Sequence, residues 1–205
     1  MSQATEPRHL GRPREFDPDE ALERALEVFW RQGYEGTSLG ELTAAMGINR
    51  PSLYAAFGNK EALFRKALNR YADEHMGFIR VALEEPTARR AIEALLRGFV
   101  RAVADPRTPP GCLTVQGALA SGPEAESIRA ELTARRLAGE AALRARLDRA
   151  RREGDLADDA NPADLARYIN TITQGVAVQA AGGATRRQLD RVVDLALRAW
   201  PEPGT

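Results

Sequence analysis

Three side chains in this sequence, Arg50, Ser52 and Tyr54, carry hydrogen-bonding groups within one short predicted helix. Leu53 and Phe57 are four residues apart and face inward, so Ser52 and Tyr54 face outward with Arg50 at their flank. Guanidinium, hydroxyl and phenol groups bond to phosphate oxygens and to the edges of bases. This outward face of hydrogen-bonding residues predicts a helix that lies in a groove of DNA.

The elements that position this helix are specified by caps and a tight turn. Ser38 with Glu41 three residues later is a capping box, which begins a preceding helix. Gly47 ends that helix in a left-handed conformation, and Asn49 caps the next one, where Pro51 is tolerated in the first turn. Two short helices joined in this way predict a helix-turn-helix, whose second helix reads the major groove. The alternative is a plain helical hairpin within a bundle, but the caps, the glycine turn and the outward polar residues all agree with DNA binding.

The sequence on both sides of this motif predicts further contacts with DNA. Asn59 caps a fourth helix, which places Lys60 beside free amide groups that can hold a phosphate. Residues 1–16 lack helical periodicity and form a flexible basic arm, in which GRPR, containing Arg12 and Arg14, resembles the AT-hook that inserts arginines into the minor groove. A disordered tail with only a loose phosphate contact is the alternative for this arm.

Helices are predicted along the rest of the chain, which makes the fold class all-α with about nine helices. Asp17, Pro18 and Glu20 combine an N-cap, a first-turn proline and a capping box, and so begin a first helix that Gly33 ends. Hydrophobic periodicity and breaker residues predict the later helices over residues 60–76, 88–104, 112–121, 124–153, 162–181 and 185–200.

The seventh predicted helix is heavily charged. Glu131 with Arg135, and Glu140 with Arg144, have the four-residue spacing that forms ion pairs within a helix. Further arginines follow, beginning with Arg146, and most of this charge is expected to form a solvated face. A second nucleic-acid surface is the alternative, but interleaved acidic residues disfavour it.

These features carry a resemblance to a known family. The run GINRPSLYAAFGNKEALF, after a first helix containing ALEVFWRQGYEGTS, resembles the TetR/AcrR family of bacterial repressors. The resemblance implies an all-helical homodimer, with a DNA-binding domain over residues 17–66, a ligand-binding and dimerising domain over 67–200, and a tail over 201–205. By position, it implies contacts with DNA at Thr37, Ser38, Arg50, Pro51, Ser52, Tyr54 and Lys60.

Three positions depart from the family pattern. Ala55 and Ala56 stand where members commonly carry larger aromatic or imidazole side chains, so base reading there is reduced to methyl contact or lost. Gly40 occupies a site where some members carry a basic residue that contacts a base. We therefore expect Arg50 to be the main specific reader, worth about 1–3 kcal/mol of discrimination. One short helix reads few base pairs, so a palindromic operator bound by a dimer is also expected.

Composition limits the other classes of function. The 205 residues include 29 basic and 29 acidic side chains, so DNA affinity must come from local placement and not from bulk charge. No apolar run approaches a membrane span, no leader pattern begins the chain, and the single cysteine cannot form an internal disulfide, so we expect a cytoplasmic protein. Two histidines without a metal, phosphate-loop or dinucleotide motif predict no cofactor, no metal site and no enzymatic activity.

The regulatory half is expected to bind the small-molecule effector that the resemblance implies. Polar or aromatic residues within apolar helices are the candidates for the effector site, although each also suits a core or an interface: Phe78, Phe99, Cys112, Thr114, Gln116, Tyr168, Thr171 and Gln174. The last two predicted helices have surplus apolar surface, which predicts a four-helix dimer interface through Leu165, Ile169, Ile172, Val176, Leu189, Val192, Val193 and Ala196.

Alternatives to release by a reversible ligand stay open. Cys112 follows Pro-Pro-Gly at the start of a helix, where free amides favour a thiolate, so a repressor that senses electrophiles or oxidants through this thiol is one of them. Against it, lone cysteines are commonly buried and inert. A ligand-independent architectural DNA-binding protein is a further alternative. The size of the regulatory part, which is larger than the DNA-binding part, argues against it. Whether the regulator represses or activates depends on operator position, which the protein sequence does not contain.

Overall fold

The computed structural model describes residues 16–119 and 125–201, and every regular element within them is a helix. The fold class is therefore all-α, as the sequence predicted. Arg12 and Arg14, in the predicted basic arm, lie outside the described residues. The described helices are α1 (Pro18–Gln32), α2 (Leu39–Met46), α3 (Arg50–Phe57), α4 (Lys60–Glu74), α5 (Phe78–Leu83), α6 (Ala88–Val103), α7 (Leu113–Leu119), α8 (Glu126–Arg152), α9 (Pro162–Ala181) and α10 (Arg186–Arg198).

Short polar side chains begin the first four helices. Asp17, Ser38, Asn49 and Asn59 each accept a hydrogen bond from an amide two or three residues later, at 2.8–3.1 Å. At α2 the capping box is complete, because the Glu41 carboxylate also accepts from the Ser38 amide at 2.8 Å. The capping box predicted at α2 is therefore confirmed, and each cap contributes about 1 kcal/mol to helix stability.

The capping box predicted at α1 is wrong. Asp17 does cap this helix, accepting from the Asp19 amide at 2.8 Å. Glu20, however, pairs with Arg24 one turn further on, at 3.1 Å. An arginine four residues later offers a carboxylate a charged donor, and here the carboxylate bonds to that donor and not to the amide of the cap.

Helices α1 to α4 close around an aromatic core. Phe29 on α1 packs edge-on against Phe64 on α4, with ring centroids 4.9 Å apart. Leu42 from α2 and Leu53 from α3 are fully buried in the same core. Burying a side chain of this kind contributes about 1.5–3 kcal/mol. This core therefore fixes the orientation of α3 relative to the other three helices.

The fourth helix ends slightly earlier than the sequence predicted. Helix α4 ends at Glu74, and α5, which the sequence did not predict, begins just after Gly77.

The Arg146 guanidinium donates to the Leu83 and Glu85 carbonyl oxygens, at 3.0 and 2.9 Å, where α5 ends. Arg146 is only 5% exposed, so the expectation of a solvated side chain is wrong here. Its long stem is buried while its head bonds to carbonyls that lack helical partners.

Helices α5 to α10 form the regulatory bundle. α6 contacts α5, α8, α9 and α10, and α8 packs along α9. The short α7 contacts α1 and α4 on one side and α8 and α9 on the other, so it lies between the two parts of the molecule. None of the helices in the described ranges is long and apolar enough to cross a membrane.

Candidate nucleic-acid interface and ligand cavity

The turn between α2 and α3 has the geometry of a helix-turn-helix. Gly47 ends α2 at a φ of 67°, in the left-handed region that favours glycine. The Ile48 amide then donates to the Thr43 carbonyl at 3.1 Å, which closes the turn. Asn49 begins α3 at once, so the angle between the two helices is set within a few residues.

The outer face of α3 carries the residues that the sequence predicted to contact DNA. Arg50 and Pro51 are exposed, Ser52 is half-buried, and Tyr54 is 50% exposed. Within the part of the chain that the structure describes, the Arg50 guanidinium makes no hydrogen bond or ion pair. Its donors are therefore available to an acceptor outside the protein, such as a guanine edge or a phosphate. The neighbouring Ala55 is also exposed and offers only a methyl group.

The predicted phosphate-contacting residues outside α3 divide into exposed and buried ones. Ser38 is exposed at the start of α2. The Lys60 ammonium lies 4.5 Å from the centroid of the Tyr34 ring, and burial lowers the pKa of Lys60 although nearby acidic groups oppose the shift. Thr37 is buried, and its hydroxyl donates to the Gly33 carbonyl at 2.7 Å. This corrects the expectation for Thr37, because its side chain holds the loop before α2 and is not free to meet a phosphate.

A cavity of about 150 Å³ lies within the regulatory bundle. Four of the eight predicted effector residues line it: Phe99, Cys112, Thr114 and Gln174. The rest of its wall is mainly aliphatic, from Ile79, Leu83, Leu95, Val115, Leu143 and Ile169, with polar groups from Arg136, Glu140, Asn170 and Thr173. An apolar cavity of about this size holds a benzene-sized molecule.

The other four predicted effector residues do not line this cavity. Phe78 covers α6 so closely that a Cβ added at Gly98 would lie 2.4 Å from its ring. The Gln116 amide turns towards the loop before α7. Tyr168 and Thr171 are exposed on the outside of α9. These four therefore lack the support that the cavity gives to the other four, because polarity within an apolar helix does not say which side of that helix faces the cavity.

An aromatic junction connects the cavity wall to the DNA-binding domain. The Trp30 indole, on α1, donates to the Gly111 carbonyl at 3.1 Å, and its ring packs edge-on against Tyr71 of α4 at 4.7 Å. Gly111 directly precedes Cys112, whose thiol lies 3.1 Å from the Thr114 hydroxyl on the cavity wall. Burial raises the pKa of Tyr71 well above its ordinary value, and the neighbouring thiol adds to the shift. The first helix of the DNA-binding domain is thus hydrogen-bonded to the residue that directly precedes the cavity-lining Cys112.

Comparison with known proteins agrees with this geometry over most of the chain. Residues 21–67 match the family model for bacterial regulatory proteins of the tetR family, and residues 86–196 match a tetracyclin repressor-like C-terminal domain. The HTH-type transcriptional repressor ComR of Escherichia coli (strain K12) is 34% identical over 194 residues, which cover 94% of this chain and 92% of ComR. The chain belongs to the TetR family of bacterial transcriptional regulators. It is therefore a helix-turn-helix DNA-binding transcriptional regulator, as the sequence predicted.

Two further relatives extend the TetR-family match. YezE of Bacillus subtilis (strain 168), an HTH-type transcriptional regulator, is 33% identical over 190 residues, covering 92% of this chain and 98% of YezE. A solved structure of the TetR family regulator CifR with cysteine substitutions, bound to 26-base-pair operator DNA, is 46% identical with a TM-score of 0.89. It covers 93% of this chain and 100% of the CifR chain. The likeness thus includes both domains.

TetR-family regulators act as dimers, and helices α9 and α10 expose apolar side chains that suit this role. Five of the eight predicted interface residues are buried within the single chain, because they face the bundle core: Ile169, Val176, Leu189, Val193 and Ala196. Leu165 and Ile172 are half-buried, and Val192 is exposed. This corrects the choice of residues, and the apolar side chains that α9 and α10 expose are Tyr168, Val178, Val192 and Leu195.

Sequence reasoning missed the polar cavity residues Arg136, Glu140, Asn170 and Thr173. Glu140 was expected to pair with Arg144 along α8, but its carboxylate lies 2.7 Å from Arg167 of α9 and accepts from Asn170 at 2.9 Å. The four-residue spacing in α8 gave no signal for these partners, because they lie on another helix. Only the packing of α8 against α9 brings them together.

Proposed function

We propose that this chain is a homodimeric repressor of the cytoplasm that binds a palindromic operator and releases it when a small molecule occupies the cavity. The observation that carries this proposal is the aromatic junction, in which Trp30 of the DNA-binding domain bonds to Gly111 beside the cavity wall. A ligand that changes the position of Cys112 or Thr114 also acts on this bond and on Tyr71 of α4. Ligand and operator would then each weaken the binding of the other.

The operator contacts are proposed on the exposed face of α3 and at the helix starts beside it. Arg50 is the main reader of a base because its guanidinium has no partner among the described residues. Pro51, Ser52 and Tyr54 complete the contact surface of α3. Ser38, Lys60 and the arm residues Arg12 and Arg14 are assigned to the DNA backbone or minor groove.

The dimer is proposed to form through the exposed face of α9 and α10. Tyr168 and Val178 of α9 are 41% and 47% exposed, and Val192 and Leu195 of α10 are 41% and 58% exposed. Along α9, Thr171 and the exposed Gly175 continue the same face at helical spacing. Two such helix pairs can bury each other as a four-helix bundle, which relates the two α3 helices by a two-fold axis.

The proposal is tested by fluorescence anisotropy of the purified protein on labelled DNA flanking its own gene. Scrambled DNA of equal length is the competitor, and ionic strength is held fixed because phosphate contacts are sensitive to salt. We expect specific binding that a small molecule can reverse. Equal affinity for flanking and scrambled DNA would contradict a local operator. Specific binding that no candidate ligand changes would favour the ligand-independent architectural alternative.

Sensing through the thiol of Cys112 is the second candidate function, because this residue lies on the cavity wall and beside Tyr71. An activated alkene that enters the cavity would react by addition: the Cys112 sulfur bonds to one alkene carbon, the C=C double bond becomes a single bond, and the thiol proton ends on the other carbon, which leaves a covalent adduct next to the junction. The test is operator binding before and after N-ethylmaleimide, with Cys112→Ser as the control. Release of the unsubstituted protein together with retention by Cys112→Ser supports covalent sensing, and equal behaviour of the two proteins contradicts it.

A further inference from the structure

We propose that the ligand of this cavity is a small, mostly apolar molecule with one negative charge, such as a monocarboxylate, whose charged group pairs with Arg136. The inference rests on the proposed function, because it names the chemical class of the effector. It depends on the cavity and on Arg136 alone, however, so binding can be measured without DNA.

Arg136 has donors to spare. One terminal nitrogen donates to the Thr114 carbonyl at 3.3 Å, and the other donates to the Thr133 hydroxyl at 3.0 Å. Both acceptors are neutral, while a guanidinium carries five N–H groups in a planar fork. The side chain is half-buried and lines the cavity, so its remaining donors are available to a ligand there.

The acidic residue of the cavity does not neutralise this charge. Glu140 is one turn along α8 from Arg136, yet it pairs with Arg167 at 2.7 Å and accepts from Asn170 at 2.9 Å. The Arg167 guanidinium, with help from Asn170, lowers the pKa of Glu140. Among the residues that the structure describes, no carboxylate lies within 4.0 Å of the Arg136 nitrogens. The Glu140–Arg167 pair is neutral in sum, so the polar wall keeps one positive charge.

The remaining wall selects the rest of the ligand. It consists mainly of aliphatic and aromatic side chains, among them Leu95, Phe99, Leu143 and Ile169. A cavity of about 150 Å³ suits a small molecule. A partly buried cation without a counter-charge is unfavourable, and a carboxylate corrects this with two parallel charge-assisted hydrogen bonds. The fitting ligand therefore has one anionic head and a body of about six to eight carbon atoms.

The experiment compares benzoate with benzyl alcohol and benzylamine, which keep the ring and change only the charge of the head. Binding is followed by thermal shift and by isothermal titration calorimetry at pH 7, without DNA, and hexanoate serves as an aliphatic second anion. We expect benzoate or hexanoate to bind at least 10-fold more tightly than the alcohol, and the amine to bind weakest. Equal affinity for the three benzene derivatives, or no saturable binding of either anion, would overturn the proposal.

Arg136→Gln removes the charge and keeps a hydrogen-bonding side chain. We expect it to lose at least 10-fold in affinity for the anion while its weak binding of benzyl alcohol is unchanged, which shows that the cavity is still folded. Arg129→Gln, an exposed position on the same helix, is the matched control and should leave anion binding intact. Anion affinity that Arg136→Gln does not reduce would count against the pairing. Anion binding that leaves operator affinity unchanged would instead uphold the ligand class and contradict effector release.

Discussion

The polar side chains that shape the DNA-contacting face and those around the cavity act at different ranges. In the DNA-binding domain, Ser38, Asn49 and Asn59 bond to amides within three residues and so define where helices begin. In the regulatory bundle, Arg146 and Arg167 reach from one helix to another. The short-range contacts position α3, and the Arg50 guanidinium on its outer face has no partner among the described residues. The long-range contacts surround a cavity, and that difference separates the part that reads DNA from the part that can respond to a ligand.

The largest effect on operator affinity is expected from a substitution in the exposed apolar face of α9 and α10. Leu195→Glu places a charge in the exposed apolar face of α10, where burial against a partner would be strongly unfavourable. We expect a monomer with nearly unchanged folding and operator affinity reduced towards the non-specific level, by about 1,000-fold. Sedimentation and anisotropy measure the two quantities.

Val81→Glu is the matched control for Leu195→Glu. Val81 is also a large exposed aliphatic residue, at 67%, but it lies on α5, away from the face of α9 and α10. The control should remain dimeric and bind the operator normally. A dimeric Leu195→Glu protein, or a monomeric Val81→Glu protein, would show that the dimer uses another surface.

A smaller effect on operator affinity is expected from a substitution on the exposed face of α3. Arg50→Ala should weaken operator binding by about 5- to 150-fold, because a good arginine–guanine pair contributes about 1–3 kcal/mol. Its melting temperature should change little, since Arg50 is exposed and has no partner among the described residues. Arg101→Ala, at an exposed position on α6, controls for the loss of one positive charge. Equal losses in both variants would mean that Arg50 supplies only general charge and reads no base.

The same difference in range explains how far the sequence could predict this molecule. The helix-turn-helix was predictable because its signals, the capping box at Ser38 and Glu41 and the left-handed Gly47, act within a few residues. Helix α5 could not be predicted from the sequence, because it has only six residues and no side chain caps its start. The cavity was predictable only in part, since Arg136 and Asn170 belong to different helices that meet through packing alone.

A substitution at the aromatic junction should change the effect of the ligand on operator binding more than it changes operator affinity itself. Trp30→Phe keeps a buried aromatic ring but removes the indole N–H that bonds to the Gly111 carbonyl. We expect operator affinity within about threefold of the unsubstituted protein, while the factor by which ligand weakens operator binding, typically about 5- to 150-fold, falls several-fold. Trp200→Phe, a substitution at a buried tryptophan of the regulatory part, is the control and should retain that factor. Unchanged ligand response in Trp30→Phe would place the communication elsewhere, for example in the Arg65–Glu131 contact between α4 and α8.

The smallest effect distinguishes a stabilising threonine from a DNA-contacting one. Thr37→Val removes the hydroxyl that donates to the Gly33 carbonyl and keeps the shape of the side chain. Removing one partner of this part-buried hydrogen bond costs about 1–2 kcal/mol, which corresponds to a melting temperature lower by about 2–8 °C for a chain of this size. Operator affinity, measured well below the melting temperature, should stay within about twofold, and Thr37→Ser should restore most of the stability because it retains the hydroxyl. A Thr37→Val protein that melts normally but binds the operator 10-fold more weakly would reverse this assignment, because the hydroxyl would then have to leave Gly33 and meet a phosphate when DNA is bound.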